Sequence, residues 1–188
     1  MSQFEYLSVL VSIIIGLAIT QLLSGAARLI QLRRRVRPHA ATLCWMVSLF
    51  LANTQIWWAS FERREREDWN FFLFLLYLLM PILAFLLSYL VLPELGDEDE
   101  IDLAANFADN HTWFFLLLAL LPTVSLVDEL LETRTLPRDS DAIFRLVLLA
   151  FALIAGRIRG RHLDLWIALV GLALTCVYVA TQFLELLH

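Results

Sequence analysis

The chain has 188 residues, 60% of them hydrophobic and 18% charged, with a mean hydropathy of +0.73. A soluble domain averages roughly 45–50% apolar and about 25% charged residues, so the composition argues against a soluble domain and for a bundle in lipid. The formal net charge is −5, and all 14 basic residues are Arg, which excludes a retinal or pyridoxal Schiff base on a Lys amine.

Hydrophobic blocks at 6–30, 40–60, 70–92, 112–131, 142–156 and 163–187 are set against a need of about 20 residues per crossing. The expected fold is all-α: a single domain over 1–188, an integral membrane bundle of about six transmembrane helices with no soluble domain. The first block is not expected to be a signal peptide. Its leader, Met1 to Glu5, has no positive charge, its apolar run is too long, and Arg28 with Arg33 to Arg37 follows as a stop-transfer flank. Within it Ser8, Ser12, Gly16, Thr20 and Ser24 recur at every fourth position. Such small-residue strips let helices approach closely in lipid, so this helix is expected to be central or to make an oligomer contact.

The second block carries Cys44 and Trp45 near its start and Asn53, Thr54 and Gln55 past its middle. Those amides are read as interhelical hydrogen-bonding groups, or as the lining of a wet pocket. Cys44 and Cys176 lie in different blocks at different depths and are not expected to form a disulfide.

Between the third and fourth blocks, the connection from Pro93 to Asn110 holds Glu94, Asp97, Glu98, Asp99, Glu100, Asp102 and Asp109 and no base. It is read as a solvated acidic turn, or a docking site for a basic partner, followed by a short surface helix with Ile101, Leu103 and Phe107. The EF-hand pattern fails because Asp102 stands where its Gly belongs. The fourth block contains Pro122, then Ser125, Asp128, Glu129 and Glu132. Carboxylates in a hydrophobic run are costly and need partners. Arg145, inside the short fifth block, is expected to pair with Asp128 across the hairpin, with Glu132 as the competitor. On the sixth block Asp164, Ala168, Gly171, Thr175, Tyr178, Gln182 and Glu185 share one face.

The loops holding Arg33, Arg34, Arg35 and Arg37 and Arg157, Arg159 and Arg161 are assigned to the cytoplasm, because the first loop is the most lopsided. Both termini are then non-cytoplasmic in a multi-pass protein of the plasma or inner membrane. Aromatic belts agree: Tyr6, Trp57, Trp58 and Trp69 lie toward outer helix ends, and Trp45, Trp113 and Trp166 toward inner ends.

Alternation alone gathers Asn53, Gln55, Asp128, Glu132, Arg145, Tyr178, Gln182 and Glu185 into one half of the bundle and leaves the other half apolar. These residues are the expected lining of a polar, net-acidic cavity above a plug of Leu, Ile and Phe. A transporter or channel for a small solute, cation or proton has this layout. So has a non-catalytic membrane subunit or scaffold that binds partner proteins or lipid. No H-E-x-x-H occurs, and His39, His111, His162 and His188 fall at block ends or in loops, so no metal, cofactor or enzymatic activity is expected. The expected partners are the bilayer and a second copy or another membrane protein, with no nucleic acid.

Overall fold

A computed structural model describes the backbone of residues 3–62, 70–93, 100–133 and 140–185, and side chains at 8–60, 70–93, 100–131, 141–160 and 162–182. The described residues form six helices: α1 (Gln3–Gln31), α2 (Ala40–Glu62), α3 (Phe71–Leu90), α4 (Leu103–Thr133), α5 (Ser140–Ala155) and α6 (Arg161–Glu185). Five of them, all except α5, are long and apolar enough to cross a membrane, which makes this a multi-pass helical bundle. At 16 residues and 1.5 Å per residue, α5 is about 24 Å long, short of a hydrocarbon core of about 30 Å.

The helices form two groups. α1, α3, α4 and α5 pack in that order as a row, while α2 lies against α1 and α3 and carries α6 on its other side. α2 is therefore the central helix, and α1 stands at one edge. The buried stripe of α1 is Val11, Ile15, Ala18, Leu22 and Leu29, at the three- and four-residue spacing of a helix face. The small-residue strip is turned about 60–100° away from it at 100° per residue: Ser12, Gly16, Thr20 and Ser24 are exposed and Ser8 is half-buried. A Cβ added at Gly16 meets nothing within 4 Å. Of the two expectations for this helix, a central position is corrected, because the larger apolar residues beside the strip fill the intramolecular contact; the other, an oligomer contact, is compatible with the strip's outward face.

One end of the bundle is stitched by backbone. Val36–Arg37 pairs in parallel with Ile101–Asp102, and the Ile101 amide donates to the Arg35 carbonyl at 2.9 Å. Arg37 Nε meets Glu100 Oε1 at 2.5 Å, both side chains being largely exposed. The Arg-rich loop and the end of the acidic connection therefore share one end, called inner below. Residues 94–99 lie outside the described residues, and with them Glu94, Asp97, Glu98 and Asp99.

The separate surface helix is replaced by an early start of α4. Asp102 Oδ1 accepts from the Ala104 and Ala105 amides at 2.9 and 3.1 Å, an N-cap that satisfies otherwise orphaned donors. Ile101, Leu103 and Phe107 are buried in the main core, so their apolar spacing records burial under the bundle rather than contact with a surface.

Candidate functional site

A cleft lies between the α2–α6 pair and the α4–α5 pair, with Met80 of α3 behind it. Its volume is about 140 Å³, close to a cavity of roughly 150 Å³ that holds benzene. The wall is chiefly apolar. Its polar groups are Gln55 of α2, Ser125 of α4, Arg145 of α5, and Thr175 and Tyr178 of α6.

The outer end is crossed by polar and aromatic contacts. Arg145 donates to Glu129 on α4 and, one helical turn back, to Asp141 on its own helix. The side chains of all three are at most 20% exposed, so the guanidinium offsets one of the two carboxylate charges where water is scarce. Asp141 also accepts from Gln182 Nε2 of α6 at 3.5 Å. Beside this clamp, Phe144 and Tyr178 stack with centroids 5.0 Å apart and ring planes 17° apart. α5 and α6, otherwise in light contact, are tied here.

The inner end is aromatic. Trp45 is 2% exposed and meets Phe114, Phe115 and Phe151 at centroid distances of 5.0, 5.7 and 6.5 Å. It presses on Gly171 of α6: a Cβ there would stand 2.5 Å from Trp45 Cη2. Only glycine allows this approach without displacing the indole. From Arg145 to Phe151 is six residues along α5, so clamp and floor are about 9 Å apart. Trp45 is therefore a core residue and not part of an interfacial belt, whereas Trp57, Trp58, Trp113 and Trp166 are all at least half exposed. Tyr6 and Trp69 lie outside the described side chains.

Of the expected cavity residues, Gln55, Arg145 and Tyr178 line the cleft and Gln182 braces its outer end. Asn53 does not join them. It is fully buried and donates to the Leu49 carbonyl at 2.8 Å and to Ser88 Oγ of α3 at 3.2 Å, so it is an interhelical bonding group. Asp128 is 4% exposed and is not among the lining residues. The ion pairs of Arg145 among the described residues run to Glu129 and Asp141 instead of Asp128, which corrects the expected pair. Glu132 and Glu185 lie outside the described side chains. The acidic excess borders the cleft through Glu129 and Asp141, while the charged group in the wall is Arg145.

Three wall residues were not anticipated as a group: Trp45, Ser125 and Thr175. Asp141 was legible as Arg145's partner from the i,i+4 spacing alone. No family model, curated protein or solved structure matches the chain.

Proposed function

We propose that the protein is a small transporter whose central cleft is the solute site, held with both ends closed. The supporting observation is the cleft's construction: an apolar chamber bounded by a polar clamp that ties α5 to α4 and α6, and by an indole seated on a glycine. Clamp bonds and ring stacks are contacts that a modest helix shift can break and remake, as alternating access requires. An apolar wall does not offer a continuous polar path for a hydrated cation, which favours an organic solute over an ion. The protein resides in the plasma or inner membrane with both termini non-cytoplasmic, following the Arg bias of the first loop. The exposed small-residue strip on α1 favours a second reading, a membrane subunit that packs against another protein.

Single cysteines in a Cys44→Ala/Cys176→Ala background test both cleft and orientation in one experiment. Under an impermeant maleimide, Ser125→Cys is expected to label in intact cells, and Pro38→Cys only after lysis. Labelling of Pro38→Cys in intact cells would reverse the orientation. Ser125→Cys that labels from neither side of the membrane would overturn the transporter reading in favour of a static subunit.

A further inference from the structure

A second pocket opens at the inner end, between the start of α4 and the α5–α6 turn. Its volume is about 380 Å³, and its walls include Asp102, Ala108 and His111 on one side and Arg159 and Asp164 on the other. Ordinary ligand pockets span roughly 300–1,000 Å³, so a small molecule or a lipid headgroup fits. Charges of both signs stand on this wall without neutralising each other. Arg159 Nη2 donates to Thr112 Oγ1 at 2.7 Å, which ties the guanidinium to α4 beside the pocket. Asp102 Oδ1 accepts from the amides of Ala104 and Ala105, two further wall residues, so its carboxylate lies at the pocket's edge. Asp164 and Arg159 both act electrostatically on His111, yet they form no ion pair with each other or with any other described residue. Arg159 is exposed and Asp164 half-buried, within reach of a ligand. A molecule carrying an anion and a cation a few bonds apart meets both charges at once. A metal ion fits less well, since no three His, Cys, Asp or Glu groups among the described residues gather as a metal site.

Two tryptophans mark the membrane depth of this pocket. Trp113 on α4 and Trp166 on α6 are 62% and 67% exposed, and such residues favour the headgroup level. At 31 residues, α4 is about 46 Å long, about 16 Å more than the hydrocarbon core, and the stretch from Leu103 to Trp113 accounts for about 15 Å of it. Asp102 and His111 precede Trp113, and Arg159 and Asp164 precede Trp166, so the pocket lies on the water side of that level, among the headgroups. We propose that it binds the headgroup of a phospholipid with a primary ammonium, phosphatidylethanolamine, the phosphate on Arg159 and the ammonium on Asp164 and Asp102. Two carboxylates against one guanidinium oppose a net anion such as phosphatidylglycerol. A primary ammonium brings N–H donors to the carboxylates, which the quaternary ammonium of phosphatidylcholine lacks. Glu129 and Gln182 stand at the opposite ends of α4 and α6, so this pocket is separate from the solute cleft.

The full chain in detergent micelles is titrated with phosphatidylethanolamine, phosphatidylcholine and phosphatidylglycerol of identical acyl chains, and with water-soluble glycerophosphoethanolamine, bound molecules being counted by native mass spectrometry. Ala108→Trp fills the pocket from an exposed position, so the binding it removes is the pocket's own. In that fraction phosphatidylethanolamine is expected to bind about fivefold more tightly than phosphatidylcholine, the worth of one net hydrogen bond. Asp102→Asn/Asp164→Asn, which keeps the α4 cap because Asn caps as well as Asp, should bring phosphatidylethanolamine down to the phosphatidylcholine level. Arg159→Gln should weaken both and keep their ratio. Equal losses of the two lipids on Ala108→Trp, or no loss of either, would overturn the proposal. A loss greatest for phosphatidylglycerol would make the pocket an anion site instead, and glycerophosphoethanolamine binding as tightly as the lipid would make the ligand a soluble one.

Discussion

Arg145→Gln is expected to cost about 3–5 kcal/mol of stability, the usual effect of removing one partner from a buried ion-pair network. Glu129 and Asp141 would be left facing each other at the outer end of the cleft with no cation between them. The cost arises from two stranded carboxylates more than from the lost attraction, so neutralising them should restore much of it. The triple variant Arg145→Gln/Glu129→Gln/Asp141→Asn is expected to recover most of the loss, a strongly non-additive result. Glu129→Gln alone should cost less than Arg145→Gln, because Asp141 still balances the guanidinium. The midpoint of SDS-driven unfolding in mixed micelles measures all of these. A loss under about 1 kcal/mol for Arg145→Gln, the level of an exposed pair, would mean that the clamp is solvated and closes nothing.

The second large effect concerns the floor. Gly171→Val should destabilise by about 1–3 kcal/mol through overpacking, because the indole it meets is packed against Phe114, Phe115 and Phe151 and must leave those contacts to admit the added methyls. A Gly-to-Val change inside a helix would otherwise be mildly favourable by propensity, so the sign itself is diagnostic. Trp45→Ala should cost about 3–5 kcal/mol as a large-to-small core change. Combining Gly171→Val with Trp45→Phe, where the smaller ring leaves room for the added methyls, should cost less than the sum of the two. Additive losses would show that the two residues do not press on each other.

Much of the architecture follows from residues read in order. Five apolar runs are long enough to cross a bilayer, and alternation places Gln55, Arg145, Tyr178 and Gln182 toward one end whichever leaflet that end occupies. What was not legible depends on rotation about each helix axis. Sequence spacing put Asp128 and Arg145 at equal distances from the middle of their connection, and so at one depth. One residue along a helix turns the side chain by 100°, and it is Glu129 that Arg145 meets. The α1 strip shows the same effect: its regular spacing marks a face, but within the chain the neighbouring face with Val11, Ile15 and Leu22 takes the contact and leaves the strip outward. Trp45 near a helix end resembles an interfacial anchor until Gly171 and the three phenylalanines are known to surround it. The early start of α4 depended on a cap at Asp102 and on pairing with Val36–Arg37, which is distant in sequence. Asn53, by contrast, is an interhelical hydrogen-bonding residue, the first of the two roles its position suggested.

The central claim is that the outer clamp is a gate over a solute site, and locking that clamp tests it most directly. Phe144 and Tyr178 stack across the α5–α6 contact, so Phe144→Cys/Tyr178→Cys can be joined by a short bifunctional maleimide. The joined protein, carrying a third cysteine at Ser125 protected as a reversible disulfide during cross-linking, is then reduced and exposed to an impermeant thiol reagent. The account predicts that Ser125→Cys labels readily in the unlinked protein and at least tenfold more slowly once the outer ends of α5 and α6 are joined. Equal labelling rates before and after cross-linking would contradict it.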